Sequence, residues 1–289
     1  MFQTNQVASI LESNFKIHPG ITGVILAFLT GLVIIGGIKR IANVTSALVP
    51  FMGILYAVGA LAVIATHLGE VPGLLKMIFT DAFKGSAAAG GFAGVVFKEV
   101  LVQGVRRACF SNEAGMGSAA VAHSAAATNE PVREGVVALL EPFVDTVVIC
   151  TMTALVILVS GAWTSGLTGV ELTAAAFDSA FSGFGRFFVP VAVTLFAYST
   201  LLSWAYYGER GADYLFGEKG VLPFKLVFCI FAVLGAVQPL APVINFSDLV
   251  FGLLAIPNMI AVWALFPVLK RESISYFDRL HKGEFERKD

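Results

Sequence analysis

Six residues in one short run, Ser111, Asn112, Glu113, Gly115, Gly117 and Ser118, combine hydroxyl, amide and carboxylate oxygens with glycines, and Asp145 and Thr146 follow in the next apolar block. Side chains of these types bind small polar molecules by hydrogen bonds, and hard cations through oxygen. Asp145 lies within PFVDTVVICTMTALVILV, with Glu141 four residues earlier on the same helical face. Two readings stand for it: a contributor to a polar substrate, proton or cation site, or an ion-pair partner of Arg106 or Arg107. A second group lies in FAYSTLLSWAYYGE, where the adjacent hydroxyls of Ser199 and Thr200 suit a cation such as Na⁺. Thr200 and Trp204 are one helical turn apart, so the indole can close over a small ligand held at the hydroxyl. Both features have a plainer reading, as hydroxyls at helix contacts and aromatics of an interfacial belt. Thr146, Thr151 and Thr153 are expected to bond back to their own helix. Asn258, beside Pro257, is expected to satisfy backbone freed by a kink, and His123 to sit near the end of a half-helix.

The elements that carry these residues are apolar. Of 289 residues, 57% are hydrophobic and 13% charged, about half the charged share of an ordinary soluble domain. Ile21–Ile38, Leu48–Ala65, Val147–Val159, Phe187–Leu202, Phe224–Ala236 and Leu249–Leu269 are apolar blocks, several close to the roughly 20 residues that cross a bilayer as a helix. The chain therefore reads as an all-α polytopic membrane protein, a single membrane domain over 1–289 in a lipid bilayer. Phe92–Ala127 is unlike the other spans, because it holds Lys98, Glu99, Arg106, Arg107 and Glu113. Each central charge facing lipid would cost about 3 kcal/mol or more, and the glycines of Ser111–Ser118 disfavour helix interior. A helix broken at Ser111–Ser118 is expected, its freed backbone groups turned toward protein, ions or substrate. An amphipathic helix lying outside the membrane is the competing reading.

Loop charges orient the spans. Lys39–Arg40, Arg133, Arg210 with Lys219 and Lys225, and the tail from Lys270 to Lys288 are rich in Lys and Arg. His67–Pro72, Gly161–Gly185 and Pro239–Ser247 contain neither, and read as loops on the opposite side. The positive-inside rule places the rich loops and the C-terminus in the cytoplasm, in a cell membrane.

Several function classes are disfavoured. A net charge of −1 suggests no nucleic-acid partner. Cys109, Cys150 and Cys229 have no metal-site or disulfide spacing. GGFAG and GMGSA lack the Lys-Ser/Thr that completes a phosphate loop. With no nucleophile–base pair in view, the chain does not read as an enzyme, and no cofactor is implied.

GVRRACFSNEAGMGSAAVAHSAAATNEPVREG, followed by FVDTVVICTMTALVILVSG, strongly resembles the sodium:alanine (alanine or glycine:cation) symporter family. FAYSTLLSWAYYGERGADYLFG, GLLAIPNMIAVWAL and VIIGGIKRIANVTSALVPFM extend the resemblance over essentially the whole chain. It implies a LeuT-type fold of two inverted repeats. On that template, 1–15 is the end of core helix three and 17–66 is core helices four and five. The broken core helix six is 92–127, core helix seven is 135–160, core helices eight to ten are 187–270, and 271–289 is a cytoplasmic tail. The family's glycine-rich broken first helix would precede this chain, so the resemblance implies an incomplete transporter of about seven helices, with a non-transporting truncated protein or partner subunit as the alternative. It further implies Na⁺-coupled symport of a small neutral amino acid, alanine or glycine, by alternating access. Gln3 and Asn5 become candidates for substrate contact. Ser111, Asn112, Gly115 and Ser118 would form the break, and Asp145 and Thr146 would face the cavity. Ser199 and Thr200 would lie near Na⁺, with Thr200 and Trp204 lining the amino-acid pocket.

Overall fold

A computed structural model describes residues 1–84, 93–113 and 115–285. Gly90 and Gly91, which lead into the expected broken helix, and Ala114 within it lie outside the described residues.

The described residues form helices: α1 (Phe2–Phe15), α2 (Pro19–Ile34), α3 (Gly37–Thr66), α4 (Val71–Lys84), α5 (Ala93–Asn112), α6 (Ser118–His123), α7 (Pro131–Ala138) and α8 (Leu140–Pro142). A π-helical stretch, Phe143–Cys150, leads into α9 (Thr151–Val159), and α10 (Gly169–Ala180), α11 (Phe184–Phe216), α12 (Glu218–Val237) and α13 (Leu240–His281) follow. Among the described residues, five spans are long and apolar enough to cross a membrane: Gly37–Thr66, Pro131–Val159, Phe184–Phe216, Glu218–Val237 and Leu240–His281. The chain is a multi-pass helical membrane protein. The sixth apolar helix, α2, has only 16 residues, because it ends at Ile34 short of Gly36 and Gly37. At 42 residues, α13 is about 63 Å long, twice the hydrocarbon thickness. Part of it therefore extends past the apolar layer.

The chain divides into two compact units. The first comprises Met1–Leu101 and Ile149–Ser247. In it α1 lies against α2, α10, α11 and α12 and buries Thr4, Asn5, Gln6, Val7, Ala8 and Ile10. Val7, Leu26 and Ala197 meet at its core. α2 starts at Pro19, where the lost N–H costs no intrahelical bond, and His18 caps it by accepting from the Gly20 N–H at 3.1 Å. It crosses α12 through Gly23, where a Cβ would stand 2.8 Å from that of Ala236. Tyr56, Phe177, Phe188 and Phe196 join α3, α10 and α11, with centroid separations of 5.0–6.2 Å. Gly59 makes room for the Phe188 ring. The helix α10 lies within Gly161–Gly185, a stretch the charge pattern reads as a loop. Glu171 and Asp178 mask its periodicity, while Val170, Ala176 and Phe177 are buried.

The second unit comprises Val102–Val148 and Asp248–Asp289. Its Arg106 and Arg107 are paired. Arg107 Nη2 donates to both oxygens of Asp248, at 2.7 and 2.9 Å, and Arg106 approaches the same carboxylate at 3.5 Å. Asp248, on α13, is thus the carboxylate that takes the arginines for which Asp145 was one candidate. Phe110 packs edge-on to Phe251 at 4.9 Å, beside the same bridge.

Candidate functional site

In the second unit the helix stops at Asn112 and restarts at Ser118. The backbone between them turns left-handed at Glu113 (φ 52), Gly115 (φ 78) and Gly117 (φ 86). Glycine adopts these angles without penalty, whereas Glu113 is held there against its own preference, as happens at functional sites. Gly117 has a further constraint. A Cβ there would stand 3.0 Å from Oδ1 of Asn258, so Asn258 packs on the break itself and not merely at the Pro257 kink.

Opposite the end of α5 is the π-helical stretch. It begins directly after Pro142, whose ring clashes with the carbonyl four residues back and which donates no N–H, so the turn widens there. The wider turn carries Asp145 and Thr146. Ser111 Oγ donates to Oδ2 of Asp145, and Thr146 Oγ1 donates to Oδ1 of Asn112 at 2.7 Å. Ser111, Asn112, Asp145 and Thr146 therefore form one oxygen-rich network across two segments. Thr146 departs from the expected back-bonding. Thr153 does both, donating to the Ile149 carbonyl at 2.9 Å while its oxygen meets the Tyr56 hydroxyl at 2.6 Å.

Beyond the break, α6 is only six residues long. His123, at its last position, places Nδ1 2.6 Å from Oε1 of Glu134 on α7 and Nε2 3.9 Å from Glu141.

The remaining sequence candidates belong to the first unit. Ser199 Oγ and Thr200 Oγ1 both donate to the Phe196 carbonyl, each at 2.9 Å. Their oxygens retain lone pairs, the part a cation uses. Ser199 also contacts the Met52 sulfur at 3.5 Å. Trp204 is half-buried, with Tyr207 edge-on at 5.5 Å. Gln3 is half-buried and Asn5 buried. Asn5 Nδ2 donates to the Gly235 carbonyl at 3.1 Å and to that of Gln238 at 2.6 Å, closing the end of α12. Gln6 donates to Asn5 Oδ1 at 3.2 Å and accepts the Val170 N–H at the start of α10.

Five polar residues outside the candidate site set prove central. Gln6 and Asn258 pack as described. Asp248 stands one position before an apolar block, a signal that an arginine partner awaits it. Lys225 and Glu209, each 7% exposed, form an ion pair of 3.1 Å between α12 and α11. Their separation in sequence gave no hint of it.

Known proteins extend these observations. The chain is 41% identical to the sodium/alanine symporter AgcS of Methanococcus maripaludis over 98% of its own length and 62% of that protein. It is 39% identical to an uncharacterised transporter of Haemophilus influenzae, over 98% of the chain and 63% of the relative. To a probable sodium/glutamine symporter of Bacillus subtilis it is 37% identical, over 92% of the chain and 55% of the relative. The chain thus spans roughly three-fifths of the length of these relatives. Together with the helical, multi-pass architecture, the match of residues 1–289 to the sodium:alanine symporter family model shows that this chain belongs to that family.

Proposed function

We propose that this chain forms the greater part of a secondary transporter that couples Na⁺ entry to symport of a small neutral amino acid by alternating access, in a LeuT-type fold. The observation that carries the reading is the interrupted helix, with Ser111 and Asn112 at its end hydrogen-bonded to Asp145 and Thr146. Backbone left unpaired at membrane depth is tolerated where it lines a cavity, and discontinuous helices build the ion and substrate sites of many secondary transporters.

In the second unit, Ser111, Asn112, Gly115 and Ser118 supply N–H and carbonyl groups for the amino acid's charged ends, with Asp145 and Thr146 shaping their polar surroundings. In the first unit, Ser199 and Thr200 offer oxygens to Na⁺, while Thr200 and Trp204 bound the side-chain space. Gln3 is a further substrate contact. Asn5 reaches substrate only through its Oδ1, since both Nδ2 hydrogens close α12. On this reading 271–289 is a cytoplasmic tail and the membrane is the cell membrane. The named relatives are assigned alanine in one case and glutamine in another. Trp204 favours the smaller substrate, alanine or glycine, here.

The test is uptake of radiolabelled alanine into proteoliposomes by the whole protein that carries this chain. Uptake driven by an inward Na⁺ gradient and competed by glycine is expected. Equal uptake without Na⁺ would overturn the coupling, and no uptake of any small neutral amino acid would overturn the substrate class.

A further inference from the structure

The end of α13 grips the connector between α6 and α7. Arg279 donates from Nη1 to Oε1 of Glu130 at 2.8 Å and from Nη2 to Oε2 at 2.7 Å, a two-pronged guanidinium–carboxylate fit. Glu130 is the residue that precedes α7. Just past the helix end the chain folds back through Gly283 (φ 71), and the Phe285 ring enters the same cluster. It lies 5.0 Å from the Arg279 guanidinium and 5.1 Å from that of Arg133 on α7. Its other neighbour is Tyr276, 5.0 Å between centroids, and Tyr276 is buried despite lying in a charged segment.

The connector is tied at its other end as well, by His123 of α6 to Glu134 of α7. Tail, connector and α6 are therefore joined in series: Phe285 and Arg279 to Glu130 and Arg133, then Glu134 to His123, then α6 back to the break at Gly117. A surface arginine–glutamate pair alone contributes little. Here the bidentate geometry and the shared aromatic ring hold two arginines in register. α6, short and without a side-chain cap, has little to hold it in place by itself.

From this arrangement we infer that Arg279 and Phe285 form a C-terminal clasp that holds the α6–α7 connector, and through it the short second piece of the broken helix, so that α6 moves only when the clasp opens. The clasp stands on these contacts alone. If the transport reading holds, it acts as a brake on one step of the cycle.

Hydrogen exchange read by mass spectrometry, on the whole protein in lipid nanodiscs, tests the clasp without reference to transport. Arg279→Glu is expected to speed exchange of the amides between Ser118 and Glu134 by about tenfold or more, leaving α11 and α12 unchanged. The swap Glu130→Arg with Arg279→Glu is expected to restore most of the protection. Phe285→Ala, which leaves both charges in place, is expected to give a smaller increase over the same amides. Unchanged connector exchange in both Arg279→Glu and Phe285→Ala would overturn the clasp. So would an increase shared equally by α11 and α12, since that is general loosening.

Discussion

Thr146 Oγ1 donates to Asn112 Oδ1 at 2.7 Å, linking the widened π-helical turn to the last residue before the helix break. The bond joins the two irregular pieces of backbone in the second unit, so each fixes the other. Thr146→Val keeps the shape and removes the donor, leaving the Asn112 oxygen short of a partner at a cost of about 1–3 kcal/mol. Under the proposed function, the concentration of alanine that stabilises the protein in the presence of Na⁺ is expected to rise about tenfold or more. Thr146→Ser, which keeps the hydroxyl, should stay close to the parent. Thermal unfolding across an alanine titration measures both. Equal behaviour of Val and Ser would remove Thr146 from the site.

Asn5 plays a second part that its position in an N-terminal helix does not announce. Its Nδ2 supplies both hydrogens to the end of α12, at carbonyls that the helix cannot satisfy internally. Asn5→Leu strips both bonds at a buried position and is expected to cost about 2–3 kcal/mol. Asn5→Asp should not rescue it, because an ionised carboxylate only accepts. The melting temperature in detergent, with tryptophan fluorescence as reporter, decides between these outcomes.

What the amino-acid sequence makes legible is what leaves a local signal. Apolar blocks gave the spans because a bilayer imposes a length on each one. Ser111–Ser118 stood out because glycines, amide and charge have no place in a lipid-facing helix, and the helix does stop at Asn112 and resume at Ser118. Pairings across the chain were a different matter. Arg107 had Asp145 and other carboxylates to choose from, and only the fold brings Asp248 within 2.7 Å. Glu209 and Lys225, Asn5 and Gln238, Gln6 and Val170 are likewise partners set by helix crossing. α10 carries no such local signal, because its acidic residues interrupt the hydrophobic period within a stretch that lacks Lys and Arg. The π-helical turn at Asp145 has one local cause, Pro142, but proline signals a kink without saying which kind.

Close crossing makes some glycines irreplaceable and others not. A Cβ on Gly185 would lie 2.3 Å from the Ala174 carbonyl oxygen and 2.7 Å from the Asp178 nitrogen, both backbone atoms of α10 that cannot swing aside. Gly185→Ala must push α10 from α11 and is expected to cost about 1–3 kcal/mol. Gly53, within α3, has open space around its would-be Cβ, so Gly53→Ala should hold or slightly raise stability through helix propensity. Melting temperatures of the two variants, measured side by side, check the contrast. A Gly185→Ala protein as stable as the parent would mean that the α10–α11 approach is looser than described.

The Glu130–Arg279 contact also predicts a dependence on pH. Hydrogen bonds from Arg279 hold the Glu130 carboxyl below the ordinary glutamate range, and the charges of Arg279 and Arg133 add to the effect. A carboxyl whose pKa is depressed by folding stabilises the folded state fully above its unfolded value, about 4.3. That contribution is lost as pH falls through the lower folded value. Arg279 stays charged throughout. Connector exchange, corrected for intrinsic chemistry, is therefore expected to be level from pH 7 down to about 5 as far as Glu130 is concerned, and to rise below about 4. In Glu130→Gln it should start higher and lack that acid-induced rise. His123 and Glu134 lie in the same connector and are present in both proteins, so the difference between the two curves isolates Glu130. Parallel curves would show that the carboxylate contributes nothing to holding the connector.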